Sequence, residues 1–153
     1  MKSLLRDIRL PGLSIAENIL LAPMAGYTDA AFRSICIEFG AAFCFSEMVC
    51  AEALARGQDR RTLELLVKAK NETQWGIQIF GSNPISAAKA VRRLAAYNPD
   101  LIDLNCGCAV PKVLKTRAGA SLLQKPRRIK AILSAMREQT DRPISVKLRS
   151  GWD

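Results

Sequence analysis

Gln78, Asn105 and Lys147 each lie near the carboxyl end of a short apolar segment. Because side chains alternate between the two faces of a strand, each of the three faces away from its apolar neighbours. In α/β folds, ligands bind at the carboxyl ends of the strands. Two amides and a cation that converge there could hold a planar heteroaromatic ligand with carbonyl and imide groups.

The chain has five cysteines and no histidine, which restricts the chemistry open to it. Without histidine it contains no Ser-His-Asp triad, no Cys-His dyad and no His-ligated metal. Cys106 and Cys108 form a Cys-x-Cys pair, but no further ligands can be assembled around it, so we expect no metal site. A thiol without an imidazole partner suits proton donation better than nucleophilic attack.

Short apolar segments alternate along the chain with segments of helical spacing. The predicted strands are residues 19–24, 42–47, 76–80, 101–105 and 144–148. Between them, helical spacing or caps predict four helices. Their markers are Phe32, Ile35, Cys36 and Phe39 for the first, Leu63, Leu66 and Val67 for the second, Asn83-Pro84 for the third and Pro126 for the fourth.

Strict alternation of strand and helix predicts an α/β fold with a parallel sheet. The sheet is either open and doubly wound, or part of a (β/α)₈ barrel, which usually needs about 250 residues. A tight turn around Gly12 predicts a small hairpin before the first strand of the sheet. Residues 49–59 carry no clear pattern.

The composition indicates a folded protein with an anionic partner. Of 153 residues 49% are apolar, and 23 Lys and Arg face 14 Asp and Glu, for a net charge of +9. That charge favours a polyanion such as nucleic acid. There is no signal-peptide pattern, and no apolar run approaches the roughly 18 residues of a membrane span. We therefore expect a cytoplasmic protein with free thiols and no membrane partner.

Seven short motifs follow one another along most of the chain. They are residues 21–29 (LAPMAGYTD), 45–48 (FSEM), 78–81 (QIFG), 103–108 (DLNCGC), 110–113 (VPKV), 118–120 (AGA) and 146–149 (VKLR). In type and order they resemble the motifs of the tRNA-dihydrouridine synthases. The resemblance implies the N-terminal portion, about five of eight β/α units, of a TIM (β/α)₈ barrel. It also implies an oxidoreductase that reduces the 5,6 double bond of uridine in tRNA with FMN and NADPH or NADH.

The resemblance further implies roles for individual residues. Six residues would bind FMN: Ala22, Pro23, Met24, Gln78, Asn105 and Lys147. Lys147 would place its cation where negative charge accumulates on reduction of the flavin. Cys108 would be the catalytic residue that protonates carbon 5 of uracil after hydride reaches carbon 6.

Three cations follow Cys108 and are candidates for binding tRNA phosphates, unless they form only a solvated loop. They are Lys112, Lys115 and Arg117. Ala109 departs from the family, which usually has proline there, and this should loosen the loop.

Length is the other departure from the family pattern. We interpret residues 1–153 as a partial FMN-binding barrel without the remaining strands and the C-terminal helical tRNA-binding domain. The isolated chain is then expected to bind FMN weakly or not at all, because the flavin phosphate site follows strands seven and eight. The alternatives are another FMN barrel oxidoreductase, of the dihydroorotate or dihydropyrimidine dehydrogenase type, or a non-catalytic RNA-binding remnant. The sequence does not specify an oligomeric state.

Overall fold

A small antiparallel hairpin lies near the amino end of the computed structural model, which describes residues 4–57 and 60–152. It consists of β1 (Ile8–Leu10) and β2 (Leu13–Ile15). Gly12 in the connecting turn has φ +79°, a conformation that glycine adopts without steric cost. The predicted hairpin is confirmed.

The main sheet is parallel and curled like part of a barrel, with its strands in chain order. Its strands are β3 (Leu20–Leu21), β4 (Phe43–Phe45), β5 (Val49–Cys50), β6 (Trp75–Phe80), β7 (Leu101–Cys106) and β8 (Ile144–Leu148). Five of them follow the order β3-β4-β6-β7-β8, and β5 pairs with the carboxyl end of β6. The α/β fold predicted from strand and helix alternation is confirmed in its barrel form.

Helices follow the strands as crossovers of a parallel sheet. They are α1 (Ala30–Glu38), α2 (Ala51–Arg56), α3 (Arg60–Glu64), α4 (Pro84–Leu94), α5 (Pro111–Leu114) and α6 (Pro126–Arg137). The described residues also form two 3₁₀ segments, Ala95–Tyr97 and Gly119–Gln124. Asp29 caps α1 by accepting from the Phe32 N–H at 2.8 Å. Asn83 caps α4 by accepting from the Ile85 N–H at 2.9 Å.

The main core lies between the sheet and its helices. The outward side chains of β6 and β7 are fully buried against α4 and α6, as their alternation predicted. This cluster includes Ile77, Ile79, Leu104, Leu94 and Met136. A second, smaller core packs the hairpin onto the amino ends of the strands. The outer face of the sheet is therefore filled by helices. The inner face is apolar at the amino ends of the strands, where the hairpin packs, and polar toward their carboxyl ends.

Two predicted strands and one predicted helix are shorter in the structure than the sequence pattern suggested. Residues 19–24 and 42–47 contain strands of only two and three residues, since the chain leaves the ladder early to form the loops above the sheet. The second helix ends at Glu64, so Leu66 is buried in a turn and Val67 is 54% exposed. Within residues 49–59, β5 and α2 were not predicted, and residues 58 and 59 lie outside the described part.

The helix predicted from the spacing of Phe32, Ile35, Cys36 and Phe39 is present as α1, but its apolar stripe is largely exposed. Phe32, Ile35 and Phe39 are 38%, 51% and 88% exposed, and Cys36 is only partly buried. The helix packs against β4, the neighbour of the edge strand β3, and these apolar side chains stay on its solvent side. Its one fully buried side chain is Arg33, at 1% exposure.

Arg33 joins α1 to the segment before β6 through a buried ion pair. Its Nε lies 2.7 Å from Glu72 Oε1, with both side chains at most 1% exposed. The guanidinium also donates to the carbonyls of Thr28 at 2.8 Å and Val67 at 2.7 Å. It lies 5.7 Å from the ring centroid of Trp75. Because these bonds satisfy the charge locally, removal of one partner leaves the other buried and uncompensated.

We predict that Glu72→Gln lowers the free energy of unfolding by about 3 kcal/mol or more, since it strands the Arg33 cation in the interior. Glu64→Gln is the matched control, because Glu64 pairs with Arg60 at the surface, where their side chains are 61% and 93% exposed. Equilibrium urea unfolding measures both variants. Equal stability of the two would contradict the organising role of the buried pair.

Candidate active site

The strand register aligns polar side chains in two rows on the inner face of the sheet. In the first row Gln78 pairs with Asp103, and Asp103 pairs with Ser145. In the second row, two residues nearer the carboxyl ends, Asn105 pairs with Lys147. Because parallel strands keep this register over several residues, neighbouring side chains of one row come within hydrogen-bonding reach.

A chain of hydrogen bonds connects the first row to the second. Gln78 Nε2 donates to Asp103 Oδ2 at 2.6 Å, and Ser145 Oγ donates to Asp103 Oδ1 at 2.5 Å. Asn105 Nδ2 donates to Gln78 Oε1 at 2.8 Å. An ionised carboxylate only accepts, so Asp103 requires the NH₂ group of Gln78 and turns the Gln78 oxygen toward Asn105. Asp103 thus fixes the orientation of both amides.

The oriented Asn105 in turn holds the loop that carries Cys108. Its Oδ1 accepts from the backbone N–H groups of Gly107 at 3.1 Å and Cys108 at 3.0 Å. The Cys108 carbonyl accepts from the Ala120 N–H at 2.8 Å. Gly119 has φ +61°, and a Cβ there would lie 2.5 Å from the Cys108 oxygen, so only glycine allows this close approach.

Burial changes the pKa values of Cys106 and Asp103 near this site. Burial raises the pKa of the Cys106 thiol to about 12, with a smaller contribution from the charge of Asp103. Cys106 therefore stays protonated within the core, whereas Cys108 is partly exposed and lines the site. Burial also raises the pKa of Asp103, against the opposing hydrogen bonds of Ser145 and Gln78 and the charge of Lys147.

These residues surround a cavity of about 330 Å³ at the carboxyl ends of the strands. Its walls combine apolar surface with a few polar groups, as is usual for small-molecule sites. The lining residues are Pro23, Ala25, Met48, Gln78, Asn105, Gly107, Cys108, Val110, Lys147, Leu148 and Arg149. The volume is at the small end of the range of about 300–1,000 Å³ for ligand pockets.

The structure brings together five of the predicted catalytic and cofactor-binding residues around this cavity: Pro23, Gln78, Asn105, Cys108 and Lys147. The other two lie nearby. Ala22 lines an adjoining cavity of about 250 Å³. Met24 lines neither cavity, is 40% exposed and has its N–H bonded to Thr28 Oγ1 at 3.0 Å.

The predicted phosphate-binding cations lie outside this cavity. Lys112 and Lys115 are exposed on and after α5. Arg117 is exposed at the edge of a larger cleft.

Sequence reasoning missed several residues that shape the site. Asp103 and Ser145 lie two positions before Asn105 and Lys147, so strand alternation alone places them on the same face. Met48 lines the cavity and contacts Asn105. Glu47 accepts from the Gly26 N–H and holds the loop after β3, a contact between distant segments that no local pattern indicates.

Residues 4–57 and 60–152 contain neither a cluster of metal ligands nor a membrane-spanning helix. No group of three or more His, Cys, Asp or Glu is arranged to hold a metal ion in this part of the chain. No helix there is long and apolar enough to cross a membrane.

Known proteins share both the sequence and the fold. The family model for dihydrouridine synthase (Dus) matches residues 20–153. A probable tRNA-dihydrouridine synthase of Treponema pallidum is 43% identical over 99% of this chain and 46% of its own length. The tRNA-dihydrouridine synthase B of Pasteurella multocida is 36% identical over 95% of this chain and 44% of its own. The chain thus spans about half the length of these curated relatives.

A solved structure supports the fold alone. The histamine dehydrogenase of Rhizobium sp. 4-9 superimposes with a TM-score of 0.65 at 14% identity, over 93% of this chain and 33% of that one. The sequence match is more specific, because it covers the strand ends, the Cys108 loop and the inward rows of β6–β8. This chain belongs to the dihydrouridine synthase family.

Proposed function

We propose that this chain carries the reaction-site half of a tRNA-dihydrouridine synthase, an oxidoreductase that reduces the 5,6 double bond of uridine with FMN and NADPH or NADH. The observation that carries the proposal is the juxtaposition of Cys108, Asn105, Gln78 and Lys147 around one cavity in a member of this family. Family membership favours this function over a dehydrogenase of the dihydroorotate type.

The lining of the cavity suits the ring of a flavin. Pro23 and Met48 offer apolar surface to a planar aromatic system. Gln78 uses one amide hydrogen on Asp103, so its second hydrogen is free to donate to a ring acceptor. Lys147 makes no ion pair with any residue of the described ranges, and its cation is available to an anionic ring edge.

A bound flavin would supply the hydride that reaches carbon 6 of uracil. The remaining step falls to this chain: carbon 5 then carries excess electron density and takes a proton. Cys108 lines the cavity and can donate that proton from its thiol, after which solvent restores it. Asn105 fixes the backbone of Cys108, and Lys147 adds positive charge beside the site.

Access to the base imposes a requirement on the substrate. Uridine in structured tRNA must leave its stack before a side chain can reach carbon 5. The net charge of +9 favours the RNA backbone, and three cations are exposed on and after α5, the helix that follows Cys108: Lys112, Lys115 and Arg117. We propose these three as phosphate contacts.

We expect Cys108→Ala to lower dihydrouridine formation by about 100-fold or more, because loss of a positioned general acid has this effect. Cys36→Ala is the control, since Cys36 lies on α1, away from the cavity. Mass spectrometry of tRNA from cells without other dihydrouridine synthases measures the product. Equal product from the two variants would refute the proton-donor role, whereas tRNA binding without product from the wild type would favour the non-catalytic remnant.

The raised pKa of Asp103 predicts a pH-dependent stability. In the window from about 3.8 up to the raised value, the folded state binds more protons than the unfolded state. The free energy of unfolding of the wild type should therefore fall, relative to Asp103→Asn, as the pH rises through this window. Urea unfolding of both proteins at several pH values measures the difference between their free energies of unfolding. The contributions of the other titrating groups are common to both proteins and cancel in this difference.

Ser145→Ala supplies the control for this titration. The hydroxyl of Ser145 stabilises the ionised form of Asp103, so its removal should extend the window to higher pH. Parallel pH profiles for the wild type and Asp103→Asn would show that Asp103 does not titrate as its burial requires.

A further inference from the structure

A third and larger cavity, of about 710 Å³, lies beside the site. We call it the basic cleft, after its four cationic side chains: Arg117, Lys125, Arg127 and Arg128. Ser82 and Ser121 add hydroxyl groups, and none of the described carboxylates lines the cleft. The 3₁₀ segment Gly119–Gln124 and the first turn of α6 form much of its wall.

The four cations of the cleft lack neutralising partners. Among the described residues, none of them forms an ion pair or a side-chain hydrogen bond. The first turn of α6 contains no acidic residue and has no side-chain cap, so the positive end of the helix dipole adds to the same potential. Four like charges around one cavity repel one another, and an anion would relieve that repulsion.

The basic cleft is joined to the Cys108 loop by direct backbone contact. The Ala120 N–H donates to the Cys108 carbonyl at 2.8 Å, and residues on both sides of Ala120 line the cleft. Ser82 Oγ donates to the Thr116 carbonyl at 2.7 Å, which fixes the chain next to Arg117. A nucleotide whose base reaches Cys108 therefore has its neighbouring backbone close to the cleft.

We propose that the basic cleft binds phosphates of the RNA strand next to the target uridine. The identity of the polyanion as tRNA rests on the proposed function. That the cleft binds an anion is inferred from its charge and geometry alone. Arginine forks pair well with phosphate oxygens, and several cations along one wall suit a chain of phosphates better than a single anion. The predicted contact Arg117 is then one edge of a larger surface that continues through Lys125 to α6.

The test compares R127E/R128E with K89E/K130E, a control with the same change in charge. Lys89 and Lys130 are exposed on α4 and α6 but do not line the cleft. Binding of labelled tRNA is titrated over a series of salt concentrations. We expect R127E/R128E to weaken binding at least tenfold more than the control, and to reduce the slope of log K against log salt by about two.

R127Q/R128Q keeps the test valid if charge reversal disturbs folding, and thermal unfolding checks each variant. Equal tRNA affinity for the cleft variants and the control would overturn the proposal. Competition separates the possible anions: unlabelled tRNA should displace the probe, and inorganic phosphate at the same phosphate concentration should not. Displacement by phosphate to the same extent would overturn the proposal in favour of a small-anion site.

Product formation distinguishes failure of this proposal from failure of the proposed function. If dihydrouridine forms while the cleft variants bind tRNA like the control, the cleft proposal fails and the function stands. If tRNA binding depends on the cleft but no dihydrouridine forms, the cleft is an RNA-binding surface and the proposed function fails.

Discussion

The register of β6, β7 and β8 is the constraint on which the site depends. It places Gln78, Asp103 and Ser145 in one row, and Asn105 with Lys147 in the next. A slip of one residue would turn every one of these side chains into the helix layer and expose the apolar set. The packing of the outward side chains against α4 and α6 therefore also fixes which polar groups face the cavity.

Within that register, Asp103 determines how the side-chain amides of Gln78 and Asn105 are oriented. Amide groups are nearly symmetrical in shape, and only hydrogen bonding decides which end points where. The carboxylate requires the NH₂ group of Gln78, so the Gln78 oxygen meets Asn105, and the Asn105 oxygen meets the Cys108 N–H. Burial disfavours the negative charge of Asp103. Hydrogen bonds from Ser145 and Gln78 and the nearby Lys147 cation offset part of this cost.

Sequence patterns predicted the parts of the structure that depend on local alternation. Strand β8 matches its predicted bounds, and period-two spacing correctly placed Gln78 and Asn105 on one face. Helical spacing located α1, but it did not show which side of that helix is buried, because an apolar stripe is buried only where a neighbour covers it. The buried Arg33–Glu72 pair and the approach of Ala120 to Cys108 join segments far apart in sequence, so no local pattern could reveal them.

The loop at Cys108 is held in place by hydrogen bonds. Ala109 follows the cysteine, and alanine restricts the backbone less than proline would. In the structure the Cys108 backbone is held at both polar groups, its N–H by Asn105 and its carbonyl by Ala120. The close approach of Gly119 leaves little room for the loop to move. The thiol is thus positioned by hydrogen bonds from two directions, and the contact with Ala120 also ties it to the basic cleft.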